Sequence, residues 1–372
     1  MRYMTAGESH NKGLIGVIEG LPAGIEIDEK VINNELKLRQ GGYGRGKRME
    51  FEQDTVDIIS GIRMGKTMGS PVSLYIRNKD WDNYEHKFHK EGLEYYTPRP
   101  GHADLPGMLK YKFSDSRNVL ERASARETAM RVAIGSICQQ FLNYFKIKIY
   151  SHVKSLGAIS IRETGDFEDI YKSPLYCLDK GAEEKMIELI DTAKAKGDSL
   201  GGTVETIITN LPPGLGDYTH YENRLDSRLA GSIMSIPSVK GVEIGVGFSG
   251  SHIPGSLYHD CIFYNEGIKR VQNNAGGIEG GMTNGEHVVL RAVIKPIPTL
   301  KMSLGTFNTL TKENCKTDYQ RSDTTVVPAA SVVVKNVVAI EIAKAILDKF
   351  AGDHIDDTLN TFTSYLKRIE EF

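Results

Sequence analysis

At 372 residues, with 40% hydrophobic and 25% charged side chains and a formal net charge of -2, the chain can bury a substantial core and lacks the cationic excess of a general nucleic-acid binder. Its four cysteines, Cys138, Cys177, Cys261 and Cys315, are far apart and form no CxxC pair, which argues against a zinc or disulfide framework and fits a reducing compartment. No stretch approaches the roughly 18 apolar residues of a membrane span, and MRYMTAGESH has no apolar signal core. A cytoplasmic protein without membrane or nucleic-acid partners is expected.

Residues 14–21 form a short apolar run ended by Pro22-Ala-Gly and read as a strand and turn. Asp28 offers an N-cap for a helix carrying Val31, Ile32 and Leu36, with Gly41 as its stop. That helix delivers Arg39 to the loop GGYGRGKR, residues 41–48, which holds Arg45 and Arg48. Arginine forks match carboxylate and phosphate oxygens, and glycine lets the backbone approach such a ligand. This pattern points to a small molecule carrying several negative charges.

Residues 71–76 read as a strand, and 79–96, polar and aromatic without a period, as a long loop or lid. Its His86 and His89 have HxxH spacing, which by itself is more simply read as solvated loop histidines than as a metal site, and no metal is expected. Ser124-Ala-Arg-Glu127 is a capping-box pattern. It opens a helix in which Met130, Ile134 and Cys138, and Ala133, Ile137 and Phe141, recur at i+4. A helix start of this kind favours an anion, and Arg122 and Arg126 flank it. The plainer reading is a capped helix with solvated arginines.

Further on, residues 182–196 read as a surface helix, 203–210 as a strand and 226–235 as a helix that stops before Pro237. Residues 242–248 alternate as a strand, and 287–295 form another, broken at Pro296-Ile297-Pro298. A last long helix begins near Pro328 and runs through Val334, Val338, Ile342 and Ile346. Strands and helices mix without repeats or a linker, so the expectation is an α+β, layered α/β fold in one domain spanning 1–372.

Several residues could do chemistry. Ser9 and His10 are adjacent, so on an extended backbone they point to opposite faces and make a poor nucleophile–base pair. His10 is better read alone, as a proton donor or hydrogen bonder. His102 lies between Gly101 and Ala103, and its neighbours Arg99 and Asp104 would tune its pKa in opposite directions. NNAGGIEGGMTNG, with Gly277, Gly280 and Gly281, fits neither a P-loop nor GxGxxG; it is a phosphate contact or simply a turn. Arg321 and Asp323 precede the last helix, where Asp323 alone reads as a cap or salt-bridge partner.

Taken in order, GESH, RQGGYGRG, RPGHAD, ERASARET, GGIEGGMTNGE, KPIPT and RSDTT-VPAA cover nearly the whole chain, and together they closely resemble the chorismate synthase family. The resemblance implies a β-α-β sandwich, a homotetramer, and anti 1,4-elimination of phosphate from 5-enolpyruvylshikimate 3-phosphate in the presence of reduced FMN. It implies that Ser9, Arg39, Arg45, Arg48, Arg99, Ser124, Arg126 and Arg321 hold the substrate. His10 would protonate the departing phosphate, His102 the reduced flavin, and Asp323 would relay the ring proton. Flavin contacts would come from Arg122, Ala123 and Ser124, from Gly277, Gly280 and Gly281, from Lys295, Pro296, Ile297, Pro298 and Thr299, and from Arg321.

Two positions depart from the family pattern: Asn11 stands where glycine is common, and Ala123 where serine is. Neither removes a proposed catalytic group. One rival is an NAD(P)H-dependent flavin reductase, in addition to or instead of the lyase. No added nucleotide-binding fingerprint is present, so a lyase supplied by a separate flavin-reducing system is preferred. A second rival takes GGYGRGKR as an RG-type nucleic-acid contact; such segments belong to disordered tails, whereas this one follows a capped helix.

Overall fold

Two antiparallel sheets enclose a layer of helices in the computed structural model, which describes residues 1–45, 53–90, 92–162, 165–317 and 323–372. The first sheet contains β1 (Arg2–Gly7), β2 (Gly13–Glu19), β3 (Asp57–Ser60) and β4 (Val72–Arg77) in the order β1-β2-β4-β3. The second contains β5 (Lys148–Leu156), β6 (Gly202–Thr209), β7 (Val239–Ile244) and β8 (Val288–Ile294), in the order β7-β8-β6-β5, with a short strand at Ile159–Ser160 on its edge.

Besides a single turn at Gly255–Tyr258, the helices among the described residues are α1 (Glu29–Gln40), α2 (Trp81–Phe88), α3 (Asp104–Tyr111), α4 (Arg117–Ala123), α5 (Thr128–Asn143), α6 (Lys180–Lys196), α7 (Leu225–Met234), α8 (Val327–Lys349) and α9 (Ile355–Glu370). Helix α5 packs on β2 and β4, α8 packs on β5 and β6, and the two helices pack on each other. This is the expected β-α-β sandwich.

Local sequence explains each layer. Strand β2 alternates, with Leu14, Gly16 and Ile18 buried and Ile15, Val17 and Glu19 exposed, as a half-buried strand requires. In α8, twenty of 23 residues are buried, so the helix is apolar on every side and belongs to the centre. Gly135 of α5 lets the helices meet, because a Cβ there would strike the Asn336 backbone of α8. Polar residues in this layer are paired: Lys335 Nζ donates to Glu35 Oε1 at 2.7 Å and Asn336 Nδ2 to Glu35 Oε2 at 2.9 Å, tying α8 to α1. Removing one member of such a buried pair costs about 3–5 kcal/mol.

Several expectations change. Residues 81–88 form α2 rather than a loop; only Trp81 of the helix is buried, so no apolar stripe marks it. The capping box does not form as read. Ser124 closes α4 and caps a 3-10 turn at Ala125–Glu127, its Oγ accepting from the Arg126 N–H at 3.3 Å. Glu127 pairs forward with Arg131 at 3.1 Å, and α5 starts only at Thr128. Strand β7 ends at Ile244, two residues before Val246, because Gly245 turns the chain with φ +62°. Strands β1, β3 and β5 and helices α3, α4 and α9 had no counterpart in the sequence reading.

Candidate active site

A cavity of about 840 Å³ opens where the loop after β1, the end of α1, helices α2 and α4 and the start of α8 converge. That volume lies toward the upper end of small-molecule pockets, which run ~300–1,000 Å³. Its wall has two characters. Arg39, Arg45, Arg99, Arg117 and Lys295 bring cationic side chains, while Ile236, Ile297, Pro298, Val326, Ala330 and Val333 form an apolar surface.

His10 and His102 both line it. Glu121 accepts from the His10 backbone N–H at 2.8 Å with Oε2 and lies 3.0 Å from His10 Nδ1 with Oε1. Tyr84 of α2 stacks on the His10 ring at 4.7 Å between centroids. Ser9 adjoins this group: Ser124 Oγ donates to Ser9 Oγ at 3.2 Å, and the Ser9 N–H donates to the Glu121 carbonyl at 2.9 Å.

His102 has different company. Its Nδ1 lies 3.3 Å from the Pro100 carbonyl, which can only accept, and its Nε2 lies 3.2 Å from Thr299 Oγ1. Burial pushes the imidazole pKa below its ordinary value, and Arg99 and Lys295 push it the same way, while the Pro100 carbonyl and Asp104 oppose them. The loop that carries it is held tightly. Gly101 adopts φ +74° with Pro298 against its α-carbon, and Lys295 Nζ donates to its carbonyl at 2.5 Å.

Of the expected anion-holding arginines, Arg39 and Arg45 fit the site best. Arg39 Nε donates to Thr128 Oγ1 at 3.0 Å and Nη2 to the Ala125 carbonyl at 2.9 Å, with Asp54 at 3.8 Å. Burial pulls its pKa down to about 9, against the attraction of Asp54, and nearby Arg126 and Arg45 add to the depression. It is still charged at neutral pH, in a setting where a bound anion would stabilise it. Arg45 pairs with Asp323 at 2.9 Å and leaves its buried Nε without a hydrogen-bond partner among the described residues.

Other arginines are engaged elsewhere. Arg99, although on the wall, forms a bidentate pair with Asp104 at 2.8 and 3.0 Å, and Asp104 is only 1% exposed. Its fork therefore clamps the His102 loop. Arg126 is off the wall, bound to Asp54 at 2.5 Å and Asn78 at 2.9 Å. Arg122 donates to the Thr5 and Gly7 carbonyls at 2.9 and 3.0 Å and is likewise off the wall.

Among the expected flavin contacts, Ala123, Ser124, Lys295, Ile297 and Pro298 line the cavity, and Thr299 reaches it through His102. Pro296 does not line it. Gly277, Gly280 and Gly281 also lie outside the lining, in a hairpin of Ile278–Glu279 and Met282–Thr283. Arg48 and Arg321 lie outside the described residues.

Among the wall residues that went unread as site residues are Tyr84, Tyr95, Arg117 and Glu121. Arg117 donates to the Leu93 carbonyl at 2.9 Å and lies over the Tyr95 and Tyr84 rings at 5.7 and 6.0 Å. Glu121 was visible only as the first letter of ERASARET. Among the described residues, no His/Cys/Asp/Glu group of three or more could hold a metal ion, and no helix is long and apolar enough to cross a membrane.

The chorismate synthase family model matches residues 1–347. The chain is 48% identical to the chorismate synthase of Syntrophomonas wolfei, with 99% of this chain and 98% of the relative covered. It is 46% identical to that of Geotalea daltonii, with both covered in full. A solved structure titled as a crystal structure of chorismate synthase superposes with a TM-score of 0.82 at 40% identity, covering 100% of this chain and 98% of that one. With a match of this extent, the chain belongs to the chorismate synthase family.

Proposed function

We propose that the cavity binds 5-enolpyruvylshikimate 3-phosphate beside reduced FMN, with His10 serving the departing phosphate and His102 the flavin. Family membership makes the chain a chorismate synthase, a phosphate-eliminating lyase of the shikimate pathway, and no comparison supports the flavin reductase alternative. The observation that carries the proposal is the mixed lining of one cavity, which brings Arg39, Arg45, Arg99, Arg117 and Lys295 together with apolar side chains and with both His10 and His102.

The substrate brings two carboxylates and a phosphate. Arg39 and Arg45 are the residues to receive them, because one is desolvated and the other keeps an unpartnered Nε. Ser9 and Ser124 add hydroxyls at the same side. His10 would hold the proton passed to the leaving phosphate oxygen, a step of general acid catalysis. Asp323 is paired with Arg45, so any proton it takes from the substrate ring is coupled to the occupancy of the anion site. Arg48, Arg126 and Arg321 remain expected substrate contacts from the resemblance alone.

The residues present suit FMN. The apolar side chains of Ile297, Pro298, Val326 and Val333 would accept a flat ring system, and Lys295, Ala123 and Ser124 line the same cavity. Reduced FMN, when bound, supplies electron density to the breaking allylic C–O bond. With its pKa pushed down, His102 is neutral at pH 7, its Nδ1–H held by Pro100 and its Nε2 accepting from Thr299. A negative ligand beside it would favour the protonated form, so proton donation at this end would depend on flavin binding.

The continuous buried core supports one domain over 1–372. Met4, Ile15 and Val17 on the first sheet, and Ile262, Tyr264 and Ile268 on a separate hairpin, leave apolar surface exposed, which supports self-association, and the resemblance implies a homotetramer. A cytoplasmic enzyme supplied by a separate flavin-reducing system completes the reading. The test is an anaerobic assay with 5-enolpyruvylshikimate 3-phosphate and chemically reduced FMN. Equal release of chorismate and phosphate, absent with oxidised FMN, is expected. Absence of turnover by folded protein with verified reduced flavin would overturn the proposal.

A further inference from the structure

We infer that Glu121 is the positioning residue of His10, fixing the imidazole so that Nε2 is the nitrogen that exchanges a proton with the ligand. Three acceptors of this one residue face the Ser9-His10 dipeptide. Oε2 accepts from the His10 N–H at 2.8 Å, Oε1 lies 3.0 Å from His10 Nδ1, and the Glu121 carbonyl accepts from the Ser9 N–H at 2.9 Å. An ionised carboxylate can only accept, so Nδ1 must carry the hydrogen. In the neutral ring the Nε2 lone pair then remains for the cavity, which His10 lines. Tyr84, stacked within 27° of parallel, fixes the plane of the ring.

The burial of Glu121 is explained by its contacts with His10. Glutamate is rarely buried unless paired, and this one is 7% exposed. Arg117, four residues back on the same face of α4, would be its natural partner, yet its guanidinium goes to the Leu93 carbonyl and the two tyrosine rings. Arg122 is turned to β1. Among the described residues, both carboxylate oxygens of Glu121 meet His10. The arrangement matches the orienting carboxylate of a catalytic histidine, where the acid selects the tautomer and takes no proton itself.

This inference rests on the reading of His10 as the proton donor, and the experiment separates the two. The rate constants of Glu121→Gln, His10→Ala and the double variant are measured anaerobically with reduced FMN, and His10 nitrogen shifts are read by NMR in wild-type protein labelled with 15N-histidine. We expect Glu121→Gln to lower kcat by about tenfold or more, short of the ~10²–10⁴-fold that loss of a general acid itself costs, with KM changed less than about threefold. The double variant should be no slower than His10→Ala alone, because the glutamate acts through the histidine. Neutral His10 in the wild type should show its proton on Nδ1.

Wild-type kcat in Glu121→Gln, or losses that multiply in the double variant, would overturn the role of Glu121 while leaving that of His10 intact. A proton on Nε2 of neutral His10 would overturn it too, even where the glutamine variant does not fold. Wild-type turnover in His10→Ala would instead overturn the donor reading on which the inference rests.

Discussion

His10 and His102 share a cavity but are held in different ways. His10 is anchored by a carboxylate, Glu121, on a helix, and is covered by an aromatic ring. His102 is anchored by a backbone carbonyl and a threonine hydroxyl, on a loop clamped by Arg99–Asp104, with burial and two cations disfavouring its charged form. The same side chain is thus supported at one end by an anion from the protein and, in the proposed reading, would draw at the other on an anion from a ligand. Placement in a pocket does not define a histidine's role; its second nitrogen and nearby charges do.

The largest expected effect breaks the comparison at its carboxylate-supported end. His10→Ala should lower kcat about a hundredfold or more, as loss of a general acid typically does, with substrate affinity little changed. Stopped-flow chorismate formation would show it, and a rate within a factor of two of wild type would contradict it.

At the other end, His102→Gln should lower kcat about tenfold or more and also weaken binding of reduced FMN in the presence of substrate. Flavin titrations under anaerobic conditions would separate this from a pure rate effect. A variant that binds flavin as wild type does would remove His102 from the flavin side.

A smaller effect sharpens the role of Arg99. Arg99→Met should cost about 1–3 kcal/mol of stability, because it leaves the buried Asp104 carboxylate without its fork. A fall in the urea midpoint at constant m-value would register it. If stability is unchanged and only substrate KM rises, Arg99 is an anion holder after all.

The smallest effect is a pH slope. The folded pKa of His102 lies below its ordinary value, so as pH falls through about 6.5 the unfolded chain takes up this proton first. The contribution to stability therefore declines with falling pH in that window and levels off below the folded pKa. Denaturant titrations across the window should show a shallower acid-side decline in His102→Gln than in wild type.

What the sequence disclosed depended on how local the signal was. Helix α1 was legible because Asp28 and Gly41 cap it within the segment itself. The apolar spacing of α5 and the long apolar run of α8 likewise marked two helices, although α5 begins later than its apparent capping box and the central place of α8 was not read. Helix α2 was not legible, since a short helix burying only Trp81 has no stripe to read.

At the site, the clustering of arginines and histidines was visible, but their engagement was not. The carboxylate that neutralises Arg126 is Asp54, 72 residues away, and only the folded chain brings the two together. Arg99 and Asp104 are five residues apart, yet nothing in RPGHAD says that one clamps the other. Glu121 was hidden for the same reason, since its partner lies 111 residues upstream. The glycine-rich loop gave a clear composition signal that the fold uses for a hairpin away from the cavity wall.

The division of labour between the two histidines is tested most directly by a single anaerobic turnover in His10→Gln and His102→Gln, following phosphate release and the reduced-flavin absorbance together. The account predicts slow phosphate release with an unaltered flavin spectrum in the His10 variant, and an altered flavin spectrum in the His102 variant. The same spectral change in both variants, or the reverse assignment, would contradict it.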